Sequence, residues 1–231
     1  MKVLILNGSP RMERSNTFQI TKSFVEGFPS DWEIETVHLY KLNIKPCLGC
    51  FSCWTKTLGK CVINDDMQTL YPKIAAADII IESFPLYFFG IPSGAKAATD
   101  RCLPFMMPYH GNLAEDKQAS FHELRDNAMH NKKLVIVSTC GFVHTEPMYP
   151  ALLKQYDLIC GEGNYTAVLC PEGEIFGYDM AERQRKAYLN DVKKAGEEFA
   201  ENGEITPETL QKLSKPLLSP STFQIVTKQH W

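Results

Sequence analysis

The stretch KVLILNGSPRMERSNTFQI, residues 2–20, decides the fold. Its first six residues are nearly all apolar, and the run stops at Gly8-Ser9-Pro10. A short apolar run bounded by turn residues reads as a strand buried on both faces. From Ser15 onward the pattern changes: Phe18, Ile20, Phe24 and Val25 recur at roughly helical spacing, with Ser15 or Asn16 placed to cap the start and Gly27 near the end. Strand, polar loop and helix in that order form the opening unit of a parallel sheet.

The unit repeats along the chain. EIETVHLY (33–40) alternates as a second strand, DIIIESF (78–84) is a third, KKLVIVST (132–139) a fourth and NYTAVLC (164–170) a fifth. Helices are predicted at 65–77, where Pro72 threatens a kink, at 92–103, from about Met148 to Ile159, and at 180–203, ended by Asn202-Gly203. Buried strands alternating with helices predict a sheet covered on both faces. The expected fold class is α/β, a flavodoxin-like three-layer sandwich with a five-stranded parallel sheet in the order 2-1-3-4-5. The expected domain is 1–203, carrying a Met-, His- and polar-rich insertion at 104–131. Residues 204–231, with Pro207, Pro216 and Pro220, are expected to form a C-terminal extension.

Composition narrows the function classes. The chain has 231 residues, 44% hydrophobic and 22% charged, long enough to bury a core without disulfide staples. Its net charge of −3 is spread along the sequence with no basic stripe, so neither nucleic acid nor a membrane surface is an expected partner. No run reaches bilayer length, and MKVLILNGSP is too short an apolar run for a signal peptide, so a cytoplasmic location is expected.

In an open α/β sheet, ligands bind beyond the carboxyl ends of the strands near the switch point. The loop after strand one, Asn7 to Thr17, lacks the spacing of a dinucleotide fingerprint or a P-loop. It offers hydroxyls, an amide, two arginines and a helix N-terminus. That set can hold a phosphate monoester, and it can equally be an ordinary capped turn. After strand three comes PLYFFGIPSG (85–94), a run of aromatics that needs a cover: a planar ring, the 104–131 insertion or a second subunit. After strand four come Thr139, Cys140 and Gly141, where Gly141 allows close approach and Cys140 reads as a small packing residue. His144 is either a proton donor or a surface group. A phosphate nest, an aromatic wall and a small-residue gap on one edge suit FMN better than ATP or NAD.

Between strand two and the next helix lies KPCLGCFSCWTKTLGKC (45–61), with Cys47, Cys50, Cys53 and Cys61 spaced C-x2-C-x2-C-x7-C. Four thiolates at compact spacing can hold a [4Fe–4S] cube. A loop of reduced thiols and a zinc site stay open beside it, although two overlapping C-x2-C pairs would have to share Cys50. A disulfide is disfavoured in a reducing compartment.

"LILNGSPR…SNT", "CLGCFSCW…GKCVINDDM", "ADIIIESFPLYFFGIPSGAKAATDR" and "STCGF" together resemble the flavodoxin-fold NAD(P)H-dependent FMN reductases, and within them the iron–sulfur flavoproteins. The resemblance runs in order from residue 1 to about 200. It implies a non-covalent FMN whose phosphate is held by Ser9, Arg11, Ser15, Asn16 and Thr17. The ring and ribityl chain would lie along Pro85, Leu86, Tyr87, Phe88 and Phe89, near Thr139, Cys140 and Gly141. It implies Cys47, Cys50, Cys53 and Cys61 as ligands of one [4Fe–4S] cluster, and a homodimer or homotetramer. The implied activity is oxidoreductase chemistry: NAD(P)H as co-substrate reduces the flavin, which reduces a small-molecule acceptor such as a quinone, an azo or nitro compound, free flavin or a metal. No catalytic side chain is assigned. The alternatives are an electron-transfer iron–sulfur flavoprotein served by a ferredoxin-like donor, and a non-enzymatic flavin-binding regulatory module. Lys96, Asp100 and Arg101 match a family segment, and Lys96–Asp100 reads as an exposed ion pair of small value.

Overall fold

The computed structural model of the chain describes residues 1–108, 123–125, 129 and 131–228. Most of the expected 104–131 insertion therefore lies outside the described residues. Five parallel strands, β1 (Lys2–Asn7), β2 (Glu33–His38), β3 (Ile79–Pro85), β4 (Lys133–Thr139) and β5 (Thr166–Cys170), form one sheet in the expected order β2-β1-β3-β4-β5. The registers are continuous: Val3 lies between Ile34 and Ile79, and Ile81 pairs with Val135. The apolar runs of β1, β3 and β4 are buried on both faces, as central strands of a parallel sheet must be. Strand β2 is an edge, and Glu33 to Thr36 are all exposed, so the alternation of its sequence is not matched by alternating burial.

Helices cover both faces. On one side α1 (Asn16–Val25) packs against the long C-terminal helix Glu182–Asn202, here α6, around Phe24, Phe28, Val192 and Phe199. On the other lie α3 (Met67–Ala76), α4 (Ser93–Asp100) and α5 (Pro150–Cys160), over Leu4, Leu6, Met67 and Leu70 and, farther along the sheet, Phe84, Ile136 and Tyr156. A single turn, α2 (Ser52–Thr55), sits within the cysteine loop. Pro72 lies inside α3 without ending it. Helix α6 stops at Gly203, whose φ of 74° supplies the left-handed stop.

The tail differs from a plain extension. It holds two short helices, α7 (Pro207–Leu213) and α8 (Pro220–Lys228). Their prolines start helices rather than break them, because the first helical N–H has no intrahelical partner to lose. Leu213, Phe223 and Val226 are buried. The tail is also tied to the end of β5: the backbone amides of Leu217 and Leu218 donate to Glu172 Oε2 at 2.6 and 2.9 Å.

Candidate functional site

Strand order reverses between β1 and β3, so the loops that follow them face each other at the carboxyl edge. Gly8 makes this approach possible: a Cβ there would stand 2.6 Å from the Ala95 Cβ at the start of α4. The first loop is rigid. Asn7 Oδ1 accepts from the Ser9 amide, Ser9 Oγ accepts from the Arg11 amide, and the Asn7 amide group reaches both the Met12 carbonyl and His38 Nδ1.

The hydroxyls expected to grip a phosphate have partners within the protein. Ser15 Oγ caps α1 by accepting from the Phe18 amide. Thr17 Oγ1 pairs with Thr139 Oγ1 at 2.6 Å, tying α1 to the end of β4. Asn16 Nδ2 donates to the Gly173 carbonyl at 2.9 Å. Ser9, Ser15 and Thr17 are buried, and Arg11 is exposed at the rim. Ser9 and Ser15 only accept in these bonds, so their O–H groups remain free to donate. The amides of Asn16 and Thr17 also have no acceptor among the described residues, as the first N–H groups of a helix do not. Donors of this kind at a helix N-terminus, with Arg11 at the rim, are groups that could hold an anion.

The second loop is strained. Tyr87 to Gly90 closes a tight turn, with Tyr87 and Gly90 exchanging amide–carbonyl bonds of 3.1 and 3.0 Å. Its central residues, Phe88 and Phe89, have φ of 49° and 64°. Two left-handed residues make the turn that normally takes Asn-Gly. For a phenylalanine each costs about 1–2 kcal/mol. Phe88 is also 99% exposed, Tyr87 and Phe89 each 47%, and Phe89 stacks on Phe142 at 6.2 Å. Strain and exposed aromatic surface on a short loop mark a place shaped for a ligand. Pro85 and Leu86 are half-buried, and the Leu86 amide extends the sheet by donating to the Thr139 carbonyl at 2.7 Å. Cys140 is buried, and burial pushes its thiol up, so it packs as a neutral group. Gly141 and His144 are exposed. The donor types and surfaces fit FMN: amides and hydroxyls for a phosphate, exposed aromatic rings of which Phe89 and Phe142 stack, and small residues where β4 ends.

The four cysteines lie together on the same edge. All eight thiols of the chain are free. Cys47, Cys50, Cys53 and Cys61 line one cavity with Phe51, Asp100 and Arg101. Burial, then the neighbouring thiols of Cys61, Cys50 and Cys47, push Cys53 up, whereas the Ser52 hydroxyl beside Cys50 pulls that thiol down. Phe51, at φ 53° and half exposed, stacks on Trp54, whose indole donates to the Leu103 carbonyl at 3.1 Å. The loop is braced by Arg125, which donates to the carbonyls of Cys53 and Pro104.

Four thiols are the donor type that a [4Fe–4S] cube or a zinc ion takes. Among the described residues, however, no three of His, Cys, Asp or Glu are placed to hold a metal ion. Zinc needs its four ligands about 2.3 Å from one point, whereas a cube takes each thiolate on a different iron. The room among the thiols, about 20 Å³, holds roughly a single water, so a cube would have to spread the loop. Residues 45–51 have no helix or strand to resist that, and nothing lies within 4 Å of where a Gly49 side chain would begin.

Several residues here were invisible to sequence reading. His38 is buried between Asn7 and Glu13. Arg101 is buried against Asp65, although its neighbours Lys96 and Asp100 form the exposed pair the spacing implied. No local pattern marks a residue whose partner is 36 positions away.

Comparisons with known proteins bear on the family and the fold. An iron–sulfur flavoprotein of Methanocaldococcus jannaschii is 34% identical over 109 residues, 47% of this chain and 55% of the relative. The chain spans about half the length of the curated relatives it matches. Two solved structures share the fold: an FMN-dependent NADH-azoreductase from Bacillus anthracis in complex with FMN (TM-score 0.55, 18% identity, 86% of this chain and 99% of that one) and an NAD(P)H:quinone oxidoreductase from Methanothermobacter marburgensis (TM-score 0.59, 18% identity, 86% and 96%). The profile of the NADPH-dependent FMN reductases matches residues 1–146, more than half of the sequence and both of the loops just described, and the chain belongs to that family.

Proposed function

We propose that the chain is an FMN-dependent oxidoreductase that takes hydride from NAD(P)H and reduces a second, small acceptor. The observation that carries this is the strained, exposed Phe88–Phe89 turn facing the free amides of α1 across the switch point. When bound, FMN supplies the hydride acceptance and release. The chain binds and orients: the amides of Asn16 and Thr17, with Arg11, hold the phosphate, while Pro85, Leu86 and Tyr87 to Phe89 flank the ring and ribityl chain. Thr17 and Thr139 hold each other, fixing the distance between the phosphate end and the floor at Cys140 and Gly141. The exposed Phe88, Phe89 and Phe142 help exclude water when a ring or a second copy covers them, which supports a homodimer or homotetramer. Quinones, azo or nitro compounds, free flavin and metals remain acceptors to be tried.

A specific observation favours a second centre. The convergence of Cys47, Cys50, Cys53 and Cys61 on one cavity supports a [4Fe–4S] cluster, and with it electron transfer involving a ferredoxin-like partner. An anaerobic absorption spectrum with FMN and iron quantitation tests both. Stoichiometric FMN that NADH or NADPH bleaches, and that recovers when a quinone is added, supports the enzyme. Protein with no affinity for added FMN overturns it. Bound FMN that neither nicotinamide bleaches moves the reading to the electron-transfer protein if iron and sulfide are stoichiometric, and to a flavin-binding regulatory module if they are absent.

A further inference from the structure

Arg101 is a buried cation with one donor left over. Its side chain is 0% exposed. Nη1 and Nη2 hold the Asp65 carboxylate at 2.7 and 3.1 Å, and they also reach the carbonyls of Lys45 at 2.8 Å and Ile63 at 3.4 Å. Nε has no partner among the described residues. An unsatisfied buried donor on a charged group is costly and calls for a partner.

The place of that donor suggests its use. Arg101 lines the cavity shared by Cys47, Cys50, Cys53 and Cys61, whereas its counter-ion Asp65 does not. Among the described lining residues it is the only cation, and the one carboxylate, Asp100, is paired with Lys96. Four thiolates carry four negative charges. A divalent ion leaves two of them, and so does an oxidised [4Fe–4S]2+ cube. Any centre these cysteines hold is therefore an anion in a partly buried place, where a nearby cation and an N–H donor matter most.

We infer that Arg101 is a positioning residue for that centre: its Nε–H donates to the thiolate side, and its charge favours the more reduced state. The inference rests on the cluster reading above. Reduction adds one electron and no proton, taking the liganded centre from −2 to −3, and the added charge is what the guanidinium stabilises. Net charge and hydrogen bonds to sulfur are the levers that set cluster potentials.

The test is a redox titration of the full chain, reconstituted anaerobically with iron and sulfide, followed by low-temperature EPR with dithionite as reductant. Changing Arg101 alone would strand the Asp65 carboxylate, so the main variant is Asp65→Asn/Arg101→Gln, which removes the pair. It should disfavour reduction by at least about tenfold, which is ~59 mV for one electron. Arg101→Lys keeps the charge but loses the Nε–H, and should fall between the double variant and wild type. Asp65→Asn leaves the guanidinium unneutralised and should shift the other way. A purely structural role would lower the iron content and leave the potential of the remaining clusters unchanged. Loaded variants that all titrate with wild type overturn the inference and leave the cluster standing. Wild-type chain that takes up no iron overturns the cluster, and this inference with it.

Discussion

The loop after β3 and the loop after β2 share one sheet edge and are built in opposite ways. The first is short, closed on itself by two backbone bonds, and holds its aromatics in a strained geometry. The second is long and without strand or helix from 45 to 51; it is held from outside by Arg101 and Arg125, and its own Trp54 indole reaches out to the Leu103 carbonyl. One stores conformational strain and the other gathers thiols around a buried cation. The lesson is that a loop can be prepared for a ligand through its backbone or through its side chains, and that each leaves a different trace.

The largest expected effect separates the two loops outright. Replacing Cys47, Cys50, Cys53 and Cys61 together by serine should abolish iron uptake, a loss larger than the roughly tenfold to hundredfold that follows removal of an outer partner. FMN content should stay the same, because no FMN-edge residue is touched. Loss of FMN alongside iron would show that the loops are one site.

Next comes the strained turn. Phe88→Gly removes a 99% exposed ring and frees a φ of 49°. It should raise the stability of the FMN-free chain by about 1 kcal/mol in urea unfolding. The same change should weaken FMN binding, read by flavin fluorescence. A variant that gains no stability would mean the turn is unstrained, and the contrast between the loops would collapse.

A third change probes the strand that leads into the strained turn. Glu82 lies on β3, burial raises its pKa, and the Tyr156 hydroxyl donates to it. A carboxyl whose folded pKa is raised adds stability below its unfolded pKa and loses it as pH climbs through the folded value. Glu82→Gln cannot ionise, so its unfolding midpoint should rise relative to wild type with increasing pH. The gain would be on the order of 1 kcal/mol for each unit of elevation. A difference independent of pH would refute this.

The smallest effect is expected at Lys96–Asp100, a half-exposed pair one helical turn apart. Asp100→Asn should change stability by less than about 0.5 kcal/mol. A change above 1 kcal/mol would tie this rim residue to the cysteine centre.

The strands were legible because burial on both faces writes itself as uninterrupted apolar runs, as in KVLILN and DIIIES. The alternation with helices pointed to a parallel sheet; the order 2-1-3-4-5 came from the flavodoxin-like arrangement that five such strands suit, and the sheet has that order. Ser15 was legible as a cap because that bond is local, three residues long. The tail helices were not, because prolines that start helices look like prolines that break them when no core is in view.

By itself, then, the sequence determined the sheet, its edge and the residue types gathered there: aromatics after β3, hydroxyls after β1 and cysteines after β2. Only the tertiary structure decided how each is used. Thr17 meets Thr139 across 122 residues, Phe88 and Phe89 are forced left-handed, and Arg101 is sealed against Asp65 beside the cavity that the four cysteines line. Periodicity reports how a residue relates to its neighbours in the chain. Hydrogen-bond partnership and burial depend on residues far away in sequence, and those are set only when the layers close.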